Sequence, residues 1–315
     1  MPLISTAPTA VPQSKWLRQF WMQVQGATRL WTITSPLTLE LDVERGVYQS
    51  VARFTFKIYN LGVQARSDLY LDQNNWLASP RSIIVNAGYA SWQSGYGPQT
   101  PQAFPTIARG QLFQAYSTRV GPSWVTVLTG WDGGFDQANS SINAPFSKDV
   151  TFNQRVFQIA KAMPNLRSVY ISPLITANVS RGATYSGKPW DILCELAAYA
   201  QADVFIDLGA LYMVPKGQPV PGLTAGLNQI NTRLGLLNTP IKQQFRVSFD
   251  MIFEPRLLIG QSLNLTSEEP ENNGNYVLQG LAHRGTISDG VDGDCSTTPT
   301  LWNPATPTTP QGGTR

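Results

Sequence analysis

The sequence predicts a mainly β protein of the α+β type, in which two β-barrel regions flank a small α/β insertion. Three observations lead to this prediction. Apolar residues alternate with polar ones near the start of the chain, recur at helical spacing in the middle, and return to a hairpin pattern near the end. With 315 residues, the chain is long enough to bury a sizeable core.

The composition is poor in charge and rich in aromatic residues. Charged residues make up 14% of the chain, where about 25% is usual. Protein–protein contact surfaces have this composition, and so do ordinary aromatic-rich β folds, so both explanations stay open. The net charge is +3 without a cluster of Lys and Arg, which argues against a nucleic-acid-binding protein.

Paired strands predict the first barrel region. Residues 37–43 alternate strictly, and residues 51–59 place Phe54, Phe56 and Ile58 on one face. Because a short connection separates these two segments, we expect antiparallel neighbours. The remaining elements predicted here are a strand at 20–25, a turn and short helix at 60–71, a strand at 82–90, a loop at 94–105 and a hairpin formed by 110–118 and 124–130.

Helical spacing marks the insertion. Thr151 and Gln154 have the spacing of a capping box, and the apolar residues that follow predict a helix until Pro164. A second helix is predicted from Pro189, with Trp190, Leu193, Ala197 and Ala200 as its apolar face. A tight hairpin then follows, formed by residues 204–207 and 209–215.

A long hairpin predicts the second barrel region. Residues 245–253 read as a strand, Glu254-Pro255 breaks it, and residues 261–267 and 275–283 form the two hairpin arms. Between the arms lies the tip Glu268–Gly274 (EEPENNG), rich in charge and turn-forming residues. This tip is predicted to be a solvated loop, with contact to a neighbouring chain as the alternative.

The two hairpins resemble each other. They begin with Gly110-Gln111 and Gly260-Gln261, and they return to Gly130 and Gly280. Internal duplication and chance similarity both explain this pattern. The predicted organisation is therefore an N-terminal arm (1–15), a first barrel domain (16–140), the insertion (141–222), a second barrel domain (223–300) and a flexible tail (301–315).

No catalytic, cofactor or metal site is predicted. His283 is the one histidine, and no Gly-x-Ser-x-Gly pattern accompanies it, so we expect a structural or interface role. The acidic run at 289–294 lacks EF-hand spacing and reads as a polar turn, with a bound cation as the minor alternative. Residues 131–134 and 254–255 read as turns, although sequence spacing leaves a glycosidase carboxylate pair open.

The remaining signals concern cellular context. Cys194 is predicted in a helix and Cys295 in a polar loop, and both are expected to be free thiols. The first 14 residues lack the pattern of a signal peptide, and no apolar run is long enough for a membrane span. We therefore expect a soluble product that does not insert into a membrane.

The order of these signals resembles that of the baseplate hub protein of contractile-tailed bacteriophages. The resemblance covers residues 16–295 and rests on the order of its pieces. These are FTFKIYNL (54–61), WVTVL (124–128) before WDGG (131–134), the helix from Thr151, SGKPWDIL (186–193), VFIDLGALYMVP (204–215), LGLLNTP (234–240), FEPRLLIG (253–260) and GNYVLQGLAHRG (274–285).

The resemblance implies a virion structural protein rather than an enzyme. Such hubs are homotrimers whose subunits each contribute two tube-forming β-barrel domains, so that a sixfold tail tube can be joined to a threefold central spike. The implied partners are the tube or tube-initiator protein, the spike, other baseplate proteins, and tape-measure protein and DNA in transit through a lumen. No cofactor is implied, and synthesis in the host cytoplasm precedes assembly into the tail baseplate.

Two alternatives from other classes remain at this point. A tail-associated glycan hydrolase predicts a cleft with converging carboxylates, and a carbohydrate-binding protein predicts exposed Trp side chains that bind glycans without turnover.

Overall fold

The first part of the chain forms seven strands and a short helix. The computed structural model describes residue 15 and residues 17–48, 51–76, 80–89, 104–179, 181–223, 227–288 and 293–303. The first elements are β1 (Arg18–Gln25), β2 (Leu30–Thr34), β3 (Leu39–Gly46), β4 (Ala52–Tyr59), α1 (Val63–Leu69), β5 (Ser82–Tyr89), β6 (Thr106–Val120) and β7 (Ser123–Asp132). The predicted pairing of β3 with β4 and the β6–β7 hairpin are both confirmed. Residues 90 and 94–103 of the predicted strand and loop lie outside the described residues.

The insertion combines two helices with short strands and is preceded by the short helix α2 (Gly134–Asn139). Its elements are β8 (Ile142–Phe146), α3 (Phe152–Ala160), β9 (Ser168–Ile171), β10 (Ala183–Gly187), α4 (Pro189–Tyr199), β11 (Ala202–Asp207) and β12 (Ala210–Pro215). Strand β12 pairs with β11 and β9, while β8 pairs with β10. The predicted capping box is present, because the Thr151 hydroxyl accepts from the Gln154 N–H and the Gln154 side chain accepts from the Thr151 N–H.

The last part of the chain consists of short strands followed by two long ones. They are β13 (Gln229–Ile230), β14 (Ile241–Gln243), β15 (Arg246–Ser248), β16 (Met251–Ile252), β17 (Ser262–Leu265), β18 (Gly274–Ile287) and β19 (Cys295–Trp302). The predicted hairpin is found as β17 paired with β18. The predicted strand at 245–253 is wrong as a continuous element, because Phe249 and Asp250 interrupt it between β15 and β16.

One 14-stranded sheet dominates the molecule, which confirms the mainly β class. Its order is β14-β15-β19-β18-β3-β4-β7-β6-β5-β1-β2, with β13, β16 and β17 attached beside this path. Among the described strands the two ends of the order do not pair, so neither predicted barrel is closed. The reason lies in β18, which has 14 residues and pairs with β17, β19 and β3. The second hairpin thus continues the first sheet instead of closing on itself.

The sheet encloses two apolar cores. The first lies among β1 and β3–β7 and includes Phe20, Phe56 and Ile83. The second lies among the last strands and includes Val247, Leu263 and Leu301. Phe253, from the last part of the chain, belongs to the first core, where its carbonyl accepts from the Tyr89 hydroxyl at 2.8 Å.

The insertion has a core of its own, beneath α3 and α4. The buried residues of α4 are Pro189, Ile192, Leu193, Leu196 and Ala197. The predicted face was therefore only half right, because Trp190 is partly buried at its margin while Ile192 and Leu196 point inward.

Two further details differ from the sequence prediction. Cys295 begins strand β19 and is buried, so it does not lie in a polar loop. Helix α3 ends at Ala160, a few residues before Pro164, because Lys161 and Ala162 turn away from it.

Candidate functional site

A row of exposed charges lies on the outward face of three neighbouring strands. On β3, the inward residues Leu39, Leu41 and Val43 enter the core, so the alternate residues of the strand point away from it. The outward residues of β3 and its neighbours β4 and β18 are the acids Glu40, Asp42 and Glu44 and the cations Arg53, Lys57 and Arg284. We call these six residues the charge ladder.

The pairing register places opposite charges side by side. Asp42 lies opposite Arg284, Glu40 opposite Lys57, and Glu44 opposite Arg53. Arg284 Nε lies 3.2 Å from Asp42 Oδ1 and its Nη2 contacts Glu44, while Lys57 Nζ lies 2.7 Å from Glu40 Oε1. Because the ladder holds three acids and three cations, its formal charges cancel.

Small polar residues extend this face on both sides. Strand β19 adds Ser296, Thr298 and Thr300, and β7 adds Thr129 beside Thr55 of β4. These side chains are partly exposed. The sheet therefore presents a broad polar face whose charges are internally balanced.

A buried ion pair fastens the insertion to the opposite side of β3. Arg45 lies on the same inward face of β3 as Leu41 and Val43. Its Nη1 lies 3.0 and 3.2 Å from the two carboxylate oxygens of Asp207. Its Nη2 donates to the Leu257 carbonyl at 3.0 Å. Burial raises the pKa of Asp207, and Arg45 partly offsets this effect.

Asp132, at the end of β7, holds the same hairpin turn. Its carboxylate accepts from the Gly209 N–H at 3.0 and 3.2 Å. Burial raises the pKa of Asp132 to about 7, against the effect of the Gly209 N–H and of the nearby Arg45 and Arg109. Sequence reasoning interpreted residues 131–134 only as a turn, whereas Asp132 is a buried anchor.

Glu254 is a second buried acid with structural partners. Arg256 donates to both of its oxygens at 2.6 and 2.7 Å, and Lys15 Nζ lies 3.1 Å away. Burial pushes the pKa of Glu254 upward, but the bonds from Arg256 and Lys15 outweigh it and leave this pKa below its usual value. Glu254 thus ties Lys15, at the start of the described chain, to the segment between β16 and β17.

His283 is buried and contacts Thr297 and Phe253. Its Nδ1 lies 2.8 Å from the Thr297 hydroxyl, and its ring meets Phe253 edge to face. Burial, reinforced by Arg45, lowers its pKa well below the usual value. A neutral histidine packed between strands fits the predicted structural role.

Two cavities beside α1 give no support to a glycosidase. A groove of about 560 Å³ lies between β2 and α1, and the residues that line it include Trp31, Leu37 and Val63 but no Asp or Glu. An adjoining cavity of about 650 Å³ has Asp68 as its one acid. Neither therefore brings together the two carboxylates that glycoside cleavage requires.

The remaining candidate features are a metal site, the two cysteines and a membrane-spanning helix. Within the described residues no group of His, Cys, Asp or Glu has the arrangement of a metal site, and residues 289–292 of the acidic run lie outside that part of the chain. Cys194 and Cys295 are free thiols. No helix in the described segments is long and apolar enough to cross a membrane.

The hairpin tip is solvated but anchored. Glu268, Glu269 and Glu271 are exposed, whereas Asn272 is buried and donates to the Pro240 carbonyl at 3.1 Å. Lys242 on β14 donates to the Glu271 carbonyl at 3.2 Å. The tip is therefore held beside β14 within its own chain.

Solved structures with a similar fold include two tail proteins. The prophage MuSo2 43 kDa tail protein from Shewanella oneidensis has a TM-score of 0.59 at 9% identity, covering 90% of this chain and 98% of that one. A tail protein from Neisseria meningitidis MC58 has a TM-score of 0.58 at 12% identity, covering 90% and 96%. A Francisella PdpA-VgrG complex has a TM-score of 0.51 at 10% identity, covering 92% and 53%. No curated protein matches the sequence.

The open β-sheet fold of this chain is thus shared with solved tail proteins. The family model described as baseplate hub gp41 matches residues 20–286. The chain belongs to this baseplate hub family, and it is a structural component of the virion tail rather than an enzyme. The predicted resemblance is confirmed.

Proposed function

We propose that the protein is a homotrimeric hub ring that joins the sixfold tail tube to the threefold central spike and encloses a lumen for genome passage. The observation that carries this proposal is the outward polar face of the sheet. The charge ladder and its flanking Ser and Thr residues lie on this face, where they are exposed or partly exposed. Such a face suits the wall of a water-filled channel.

Strand order supports the symmetry of the ring. Eight consecutive strands run from β14 to β6, and they divide into β14-β15-β19-β18 and β3-β4-β7-β6. Two groups of four strands in each subunit give three copies six similar units, which is what a threefold-to-sixfold adaptor needs.

The size of such a ring can be worked out from strand geometry. Twenty-four strands about 4.8 Å apart and tilted by about 40° have a circumference of roughly 150 Å, hence a backbone diameter of roughly 50 Å. Side chains reduce the opening by about 5 Å on each side. The remaining channel is wide enough for duplex DNA and for an extended tape-measure protein.

The balanced charge of the ladder suits passage rather than binding. DNA affinity depends on cations that neutralise phosphates and release counterions. In the ladder each cation already faces an acid, so DNA gains little by contacting the wall. DNA then passes through this lumen without binding tightly to its wall.

The proposed partners follow from the ring. One end meets the tail tube or a tube-initiator protein, the other meets the central spike, and other baseplate proteins contact the outside. Synthesis and assembly take place in the host cytoplasm.

The mass of the purified protein in solution tests the trimer. Light scattering coupled to size-exclusion chromatography should give about three times the subunit mass of 34.6 kDa. A strictly monomeric protein that is absent from purified baseplates contradicts the proposal.

A further inference from the structure

The sheet has strand edges that are bonded on one side only, and two of them lie at the ends of the eight-strand run from β14 to β6. Strand β6 has 15 residues, but β5 pairs with it only from Thr106 to Gln111. Beyond the isolated bridge between Leu71 and Ala115, residues 116–120 pair with β7 alone among the described residues. We call this segment the β6 edge.

Strand β14 forms the other edge. Its residues Ile241–Gln243 pair with β15 and with no other described strand, and all three are exposed. Unpaired backbone groups on an edge strand form a template for pairing with another chain. Both edges therefore offer backbone hydrogen bonds that the described chain does not use.

Both edges also expose apolar side chains. On the β6 side Val120 is 59% exposed, and Tyr116 and Trp124 of the same hairpin are exposed as well. On the β14 side Ile241 is 59% exposed, together with Leu237 nearby. Contact between the edges would remove this apolar area from water.

The charges near the two edges are complementary. Arg119 lies on the β6 edge and donates only to the Gly121 carbonyl, without an ion pair among the described residues. The acidic tip with Glu268, Glu269 and Glu271 is held beside β14, and these three acids likewise form no ion pair there.

We propose that β14 of one copy pairs with the β6 edge of a second copy, with the acidic tip of the first beside Arg119 of the second. This inference rests on the proposed hub ring and names the contact that builds it. The two surfaces differ, so the contact is head to tail, and three contacts of this kind close into a ring when each rotates the next copy by 120°. Every copy then uses both its β14 strand and its β6 edge.

The terminal segments are poorer occupants of either edge. Residues 1–14 contain Pro2, Pro8 and Pro12, and residues 304–315 contain Pro304, Pro307 and Pro310. Proline has no N–H to donate to a strand ladder. A strand from another copy can form more backbone hydrogen bonds with either edge.

Paired cysteines test the contact directly. In a Cys194→Ser background, we would place one cysteine at Ser117, Thr118 or Arg119 and one at Ile241, Lys242 or Gln243, giving nine double variants that cover the possible registers. Residues opposite each other on paired strands have Cα atoms about 4.5–5.5 Å apart, which suits a disulfide. Under mild oxidation, at least one double variant should give covalent dimers and trimers on a non-reducing gel, and the matching single variants should not.

The outcomes separate this inference from the proposed function. A protein with the mass of a trimer that gives no cross-link in any of the nine variants overturns the edge contact and leaves the trimer in place. A strictly monomeric protein that is also absent from purified baseplates overturns both.

Charge reversal gives an independent check. Arg119→Glu should weaken the trimer by at least tenfold in its dissociation concentration, and adding Glu269→Lys and Glu271→Lys should restore part of the loss. Lys161→Glu, on an exposed position of the insertion, is the matched control and should leave the mass unchanged. Equal effects of Arg119→Glu and the control would contradict the role of the tip.

Discussion

The buried pair between Arg45 and Asp207 should dominate the attachment of the insertion to the sheet. Arg45 is 2% exposed and directs three hydrogen bonds at Asp207 and the Leu257 carbonyl. Replacing Asp207 with Asn leaves the guanidinium buried without its counter-charge. Loss of one partner of a buried pair costs about 3–5 kcal/mol, which for a protein of this size lowers Tm by roughly 6–15 °C.

Thermal unfolding followed by calorimetry measures this effect. Arg284→Ala is the matched control, because it removes an ion pair that is more than half exposed and should change stability by less than about 1 kcal/mol. The double variant Arg45→Met with Asp207→Leu should recover most of the loss, since an apolar pair of similar volume needs no compensation. If Asp207→Asn and Arg284→Ala shift Tm equally, the ion pair does not fasten the insertion.

Three further predictions concern Asp132, the capping box of α3 and the charge ladder. Asp132 has a pKa raised to about 7, so its contribution to stability is greatest below the pKa of an unfolded Asp and falls as pH rises towards 7, by at most about 1.4 kcal/mol per pH unit. Asp132→Asn should remove this pH dependence and stabilise the protein at pH 8. Urea unfolding of the variant and the unaltered protein at pH 5 and pH 8 measures the effect. The reasoning is wrong if the two proteins differ in free energy of unfolding by the same amount at both pH values. Thr151→Ala breaks the capping box and should destabilise by about 1 kcal/mol; Lys161→Ala beyond the same helix should not. Replacing Glu40, Asp42 and Glu44 with Lys should create salt-sensitive DNA binding in a gel-shift assay, which the unaltered protein lacks, and no shift at low salt would argue against a role of charge balance.

Local patterns predicted most elements of the sheet. The strict alternation in β3 and β4 identified both their pairing and their buried faces, because one face of each strand enters the core. The capping box likewise identified the start of α3, since both of its hydrogen bonds form within four residues.

These local patterns could not predict that one continuous sheet forms. Pairing of β18 with β3 joins residues that are far apart in sequence, and alternation does not specify which strand lies beside which. The two barrel-like hairpins were therefore recognised, but their fusion into one open sheet was not.

The buried charges left a signal that could have been used. Arg45 has the same parity as Leu41 and Val43, so a cation falls on an apolar face and requires a buried partner. The identity of that partner, 162 residues away, could not follow from sequence. Asp132 and Glu254 were interpreted as turns because turn signals are local, whereas burial depends on the packed fold.

Electron cryo-microscopy of the virion tail tip tests the central claim most directly. A hub ring of three copies, with the charge ladder of strands β18, β3 and β4 facing an open lumen, is the predicted result. A map in which another protein chain covers that face, or in which the face points away from the tail axis, would contradict it.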